Sequence, residues 1–151
     1  MDFENTLAPW LGKTAKKIDN HIQDLFFEKN INLTKIQFIV LKTLKDKNGV
    51  AQQELAFLTG RDKTSLTRLV NTMQKKKLVT RIPSESDKRI NNIHLTKIGT
   101  QLFEETFPIM KNFAKCLQKN ISEEEIEQTI NVIKKVQENL KKESVKSCIN
   151  N

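Results

Sequence analysis

The sequence predicts a mainly α-helical chain with one small β-hairpin, and three observations lead there. Only four glycines and three prolines interrupt 151 residues, which leaves little room for long irregular stretches. Apolar residues recur at spacings of three and four over most of the chain, the period of a helix with one buried face. Between Leu78 and Leu95 alone the period changes to alternation, the mark of a strand.

The first helix is expected to start near Pro9, a residue suited to a first helical turn. Leu11, Ala15, Ile18, Ile22 and Leu25 then form a seam made for another helix, with Trp10, Phe26 and Phe27 beside it. Thr34-Lys35-Ile36-Gln37 is a capping box, flanked by Leu33 and Phe38 as a hydrophobic staple, and it opens a second helix that ends at Asn48-Gly49. A short third helix runs from Gln52 to about Leu58 and stops at Gly60, which tolerates a left-handed conformation. Asp62 is placed to cap a fourth helix from Lys63 to about Lys76, whose stripe of Leu66, Leu69, Val70 and Met73 faces inward. Leu78–Ile82 and Asn91–Leu95 read as strands joined by a charged connection from Pro83 to Ile90, too long for a tight turn and expected to project. Thr96 caps a long fifth helix to about Lys119, with Pro108 expected to kink it by removing the bond to the Glu104 carbonyl. Ser122-Glu123-Glu124-Glu125 is a second capping box, opening a sixth helix with a seam at Ile126, Ile130, Ile133, Val136 and Leu140. The tail after Glu143 is expected to fray. A helix–turn–helix followed by a β-hairpin is a winged helix, here flanked by helices at both ends.

A chain of this length forms one domain and needs neither metal nor disulfide to fold. Its longest apolar run, Phe38-Ile39-Val40-Leu41, is far too short for a membrane span, and no secretory signal opens it. Cys116 and Cys148 make no disulfide framework, so a reducing, cytoplasmic setting is expected. Cys116 reads as a buried small hydrophobe and Cys148 as incidental. His21 and His94 lack metal-ligand spacing, no phosphate loop or nucleophile elbow occurs, and neither an enzyme, a metal nor a cofactor is expected.

The charge is uneven. Thr34 to Gly99 holds 14 Lys and Arg against 5 Asp and Glu, whereas the flanks hold 12 basic against 13 acidic residues. The net charge of +8 is thus concentrated in one central segment, the footprint of a surface that meets phosphates. In a helix–turn–helix the start of the second helix enters the major groove. Arg68 is placed to read a guanine there, Thr64, Ser65 and Thr67 to offer hydroxyls or methyls to base edges, and Lys63 to contact phosphate. Arg89, with Lys88 beside it at the wing tip, is placed to enter a narrow minor groove. Lys35, Lys75, Lys76 and Lys77 are further candidate phosphate neutralisers. The flanking seams are too extensive for a core shared only with the winged part and call for a second copy, which sets two recognition helices on a pseudo-palindrome of double-stranded DNA.

The sequence resembles the MarR (multiple antibiotic resistance regulator) family of bacterial transcription factors. Leu33 to Leu41 is similar to the family's second helix, and Asp62 to Lys76 with Leu78-Val79-Thr80-Arg81 to its recognition helix and first wing strand. Asp87-Lys88-Arg89 followed by Leu95-Thr96-Lys97-Ile98-Gly99 is similar to its wing signature. The resemblance implies a single domain over 1–151, with a winged core at 34–99 and dimerisation helices at 9–30 and 97–143. It implies that Asp87 orients the wing arginine or braces its base through a charge-assisted bond, against the plain alternative of a turn former. It also implies a repressor relieved by a small aromatic or amphipathic effector, held between the flanking helices and the winged part, where Ile22, Phe26, Phe38 and Leu41 are candidates. The rival reading is a winged-helix module for DNA architecture or protein contact that answers to no ligand. Family members that sense oxidants use an N-terminal cysteine, and none precedes Cys116. Two positions depart from the family: Lys77 stands where a small turn residue is usual, and Ala51 or Gln52 where Ser or Thr often opens the third helix.

Overall fold

In a computed structural model, which describes residues 2–142, a 3-10 turn at Phe3–Asn5 leads into six helices and three short strands. Helix α1 spans Leu7–Glu28, α2 Lys35–Asp46, α3 Gln52–Leu58, α4 Lys63–Lys75, α5 Lys97–Leu117 and α6 Glu123–Lys142. Strands β1 (Val50–Ala51), β2 (Val79–Pro83) and β3 (Asn91–Leu95) form one antiparallel sheet in the order β1-β3-β2. The α1 start lies two residues before the expected Pro9, because Thr6 in extended conformation already serves as N-cap. Pro9 is then the third helical residue, where its missing N–H is still one of the unpaired first-turn donors. Cys148 and the tail after Glu143 lie outside the described residues.

The chain divides into two units, 1–108 and 109–151. In the first, Val40, Leu41, Leu44, Leu55, Leu66, Val70, Met73 and Ile93 are fully buried and form the core of the winged helix. The Thr34 hydroxyl accepts from the Gln37 N–H while the Gln37 amide accepts from the Thr34 N–H, closing the capping box of α2. Phe103 of α5 stacks on Phe38 of α2 at 5.8 Å between centroids, and Lys45 pairs with Glu104 at 2.9 Å along the same flank. Strand β1, absent from the sequence expectation, is two residues long and exists only through its pairing with Ile93 and Asn92 of β3. The β2–β3 ladder pairs Val79 with Leu95 and Pro83 with Asn91, one residue later at its start than expected.

Three helices end in the same way. Past α1, α3 and α4, a residue in left-handed conformation (Asn30, Gly60 and Lys77) donates its N–H three residues back, and its successor donates five residues back. Lys77, at φ 58°, occupies a place where a side chain costs about 1–2 kcal/mol. Lys77→Gly is therefore expected to stabilise the fold by about 0.5–1 kcal/mol, net of glycine's greater unfolded-state entropy. Denaturant unfolding of the two proteins checks this, and a less stable glycine variant contradicts it.

In the second unit, Ser122 and Glu125 close their capping box reciprocally, at 2.8 Å and 3.2 Å. Along α6 the seam stays uncovered: Ile126, Ile133 and Val136 are half-buried, Ile130 and Leu140 exposed. Cys116 is exposed, contrary to the expectation of a buried residue. It lies in the last turn of α5, where every residue from Ala114 to Ile121 faces solvent.

Candidate nucleic-acid interface

Helix α4 begins at a strong cap. The Asp62 carboxylate accepts from the Ser65 N–H at 2.9 Å and from the Ser65 hydroxyl at 2.6 Å, and these bonds, the hydroxyl's first, hold its carboxyl below the ordinary value. A carboxylate with a depressed folded-state pKa stabilises the fold above its unfolded value, and that stability is lost as pH falls through the folded one. Acid titration is thus expected to loosen the start of α4 below the ordinary carboxylate value of 3.8. Amide exchange of Lys63 to Leu66 followed against pH checks this, and Asp62→Asn should flatten the profile.

Beyond the cap, Lys63, Thr64, Arg68 and Asn71 are exposed on the outer face, opposite the buried Leu66, Val70 and Met73. The Arg68 guanidinium is bonded to nothing among the described residues. Ser65 and Thr67 differ from the expectation that their hydroxyls face bases. The Ser65 proton goes to Asp62. The Thr67 hydroxyl donates to the Lys63 carbonyl at 2.8 Å and accepts from Gln52 Nε2 at 2.9 Å.

Gln52 carries that link onward. Its Oε1 accepts from Arg81 Nε at 3.1 Å, and Arg81 Nη1 donates to Gln74 Oε1 at 2.6 Å. A single relay thus ties the start of α3, both halves of α4 and the first wing strand together. Sequence reasoning missed it, because its members are 7 to 29 positions apart and no local pattern joins them.

The wing loop is closed by its own backbone. Ser84 N–H donates to the Ile90 carbonyl at 2.8 Å and Ile90 N–H to the Asp87 carbonyl at 2.9 Å. The Asp87 carboxylate accepts the Arg89 backbone N–H at 2.9 Å, an Asx turn, and makes no ion pair with the guanidinium. Of the two alternatives for Asp87, the geometry is that of the turn former. Lys88 and Arg89 are left exposed. Arg89 and Ile90 from the wing, Lys63 and Leu66 from α4, and Gln52 and Gln53 from α3 line one cleft of about 230 Å³. The start of α4 and the wing tip thus converge, with a cation from each.

A profile described as the MarR family matches residues 31–90, from the approach to α2 through the wing tip. Those residues carry the family's sequence pattern. An uncharacterised helix–turn–helix transcriptional regulator, YybA of Bacillus subtilis (strain 168), is 24% identical over 99 residues, which cover 66% of this chain and 65% of that protein. The DNA complex of S. aureus MepR is similar at a TM-score of 0.81 and 24% identity, over 89% of this chain and 98% of that one. Bordetella bronchiseptica BpsR, whose DNA binding is regulated by 6-hydroxynicotinic acid, is similar at 0.83 and 19%, over 91% and 96%. The six helices and small antiparallel sheet are the winged-helix fold of MarR structures.

Around the MarR segment, several candidate residues have internal duties. Lys76 is no free phosphate neutraliser: its Nζ donates to the carbonyl and the side-chain oxygen of Asn32, both at 2.9 Å, and to Gln37 Oε1 at 3.2 Å. It clamps the end of α4 to the loop before α2. Lys35 is held by the Asp19 carboxylate of α1. Lys75 remains exposed beside Asn71 and Gln74, and Lys77 is exposed at its turn. All four effector candidates, Ile22, Phe26, Phe38 and Leu41, are core residues, with Phe38 taken up by its stack on Phe103. Phe26 also lines a cavity of about 650 Å³, with Leu33, Ile36 and Ile39 and a polar border that includes Asp19, Gln23, Thr34, Lys35 and Arg61. No helix among the described residues is long and apolar enough to cross a membrane.

Proposed function

We propose that the chain is a homodimeric, sequence-specific DNA-binding regulator, and that it represses transcription until a small molecule relieves it. One observation carries the reading: the start of α4 and the wing tip meet at one cleft lined by Lys63 and Arg89, while Arg68 stands exposed further along α4. On this reading Arg68 reads a base in the major groove with Thr64 beside it, and Arg89 enters the adjoining minor groove. Lys63, Lys75 and Lys88 neutralise phosphates. Ser65 and Thr67 present only what their internal bonds leave over, and Asp87 acts through the shape of the wing turn. That the MepR neighbour forms a DNA complex supports DNA as the partner.

A second copy is the partner that the flanks call for. Leu7 and Trp10 on α1, and Ile130, Val132 and Leu140 on α6, expose apolar side chains on helices that a lone chain leaves uncovered. The proposed organisation keeps 34–99 as the winged core, with the dimerising helices at 9–30, lengthened to Leu7, and 97–143. Relief by an effector draws support from BpsR, whose DNA binding answers to one.

Selection from a random duplex pool, followed by binding of the enriched site across a salt series, tests the reading. A pseudo-palindrome is expected, with log affinity falling against log salt by about 0.9 for each phosphate neutralised. Recovery of no motif, with weak salt-sensitive binding alone, turns the reading to a DNA-architecture or protein-contact module.

A further inference from the structure

Across residues 80–92 Ile93's neighbours in the wing change character: no side chain of that stretch is buried, so no apolar core sets its angle against α4. Ile90 of the wing and Leu66 of α4 line a cleft rather than close it. Among the described residues, the side-chain hydrogen bonds that join this stretch to α3 and α4 are both made by Arg81, to Gln52 Oε1 and to Gln74 Oε1. Strand geometry dictates that reach. Arg81 alternates with buried Val79 and lies opposite buried Ile93, so it leaves the sheet on its inner face, toward the helices. Its planar fork holds two acceptors in fixed directions, which an ammonium cannot do. Both acceptors are neutral amides, and the ion pairs of the described residues lie elsewhere. Gln52 passes the constraint on through Nε2 to Thr67, the residue before Arg68.

We infer that Arg81 is a positioning residue: it sets the angle of the wing against α4, and thereby the number of base pairs between the base read from α4 and the minor-groove tract that Arg89 enters. Arg81 touches no DNA in this arrangement and acts through the strand that runs from it to the wing tip. The spacing consequence rests on the DNA-binding reading; the hold on the wing does not.

The test compares the full chain with Arg81→Met, which keeps the stem and removes the donors, and with Gln74→Leu, which removes one acceptor at an exposed position of α4. Residual dipolar couplings of the amides of residues 84–90, taken in the frame of α2 and α4, read the hold on the wing without DNA. They are expected to fit that frame in the native chain, to shrink in Arg81→Met and to shrink less in Gln74→Leu. Couplings unchanged in both variants overturn the hold. The second readout is affinity for the selected duplex against one in which the A·T tract is moved by a base pair. The native chain is expected to lose about fivefold or more on the moved tract. Arg81→Met is expected to lose at most about twofold, with Arg81→Lys between them. Removal of a charge alone weakens binding to both duplexes equally, so the ratio separates positioning from electrostatics. An equal ratio in the native chain and Arg81→Met, or a native chain indifferent to the move, overturns the spacing role while the DNA-binding reading stands. Selection of no motif by the native chain overturns that reading and the spacing role together, and the couplings still decide the hold.

Discussion

Arg89→Ala is expected to weaken binding to the selected duplex by about 1–3 kcal/mol at matched salt, roughly 5–150-fold, while leaving the melting temperature where it was. The loop explains why the two effects separate. Its closure runs through backbone groups and the Asp87 carboxylate, so removing the guanidinium breaks none of the bonds that shape the wing. A narrow A·T-rich minor groove carries a strongly negative potential, and a guanidinium inserted there gains more than one at the duplex surface. The comparison variant is Arg68→Ala, which should lower discrimination at one base position per half-site. Unchanged affinity in Arg89→Ala would falsify the wing assignment. A uniform loss over all sequences in Arg68→Ala would recast that residue as a phosphate contact.

Gly99→Ala is the second large effect, this time on stability. Helix α5 starts pressed against the turn between α4 and β2. Thr96 N–H donates to the Leu78 carbonyl at 3.1 Å, and its hydroxyl donates to the Lys77 carbonyl at 2.6 Å while capping the Gly99 N–H at 3.0 Å. A Cβ on Gly99 meets the Leu78 carbonyl oxygen at 2.0 Å, a backbone atom that cannot swing aside. Alanine improves helix propensity by about 1 kcal/mol, but the overlap outweighs this because relief requires moving a helix or a strand. A loss of about 3 kcal/mol or more is expected, a fall in melting temperature of roughly 6–12 °C for a domain of this size. A variant as stable as the native chain would show that α5 is not seated against Leu78. The Leu-Thr-x-x-Gly signature thereby acquires a physical meaning: threonine ties the helix to the turn, and glycine lets the two backbones meet.

What could be read from the residues alone was what depends on near neighbours. The capping pairs Thr34 with Gln37 and Ser122 with Glu125, and the Asp62 cap of α4, bind three positions apart, and each stands where its pattern placed it. Strand β1 could not be read, because Val50 and Ala51 become a strand only through residues some forty positions on. The candidate site divides in the same way. Arg68 and Arg89 are exposed as their helix face and loop predict, whereas Lys35 and Lys76 are engaged by Asp19 and Asn32, partners that adjacent sequence does not reveal. Composition finds a basic segment but cannot say which of its cations are already spoken for. Phe38 and Leu41 looked like pocket residues because apolar spacing is the same for a cavity wall and for a core.

The relay from Thr67 through Gln52 to Arg81 and Gln74 bears on how such a protein diverges. It withdraws Thr67 from the outer face of α4, as the Asp62 cap withdraws the Ser65 proton, and leaves Thr64, Arg68 and Asn71 on that face with no side-chain hydrogen bond among the described residues. On the proposed reading the address of the regulator is written in those few positions, and its frame is held by others. Retargeting the chain to a new operator is then a matter of exchanging letters at Thr64, Arg68 and Asn71 while the relay keeps the page flat.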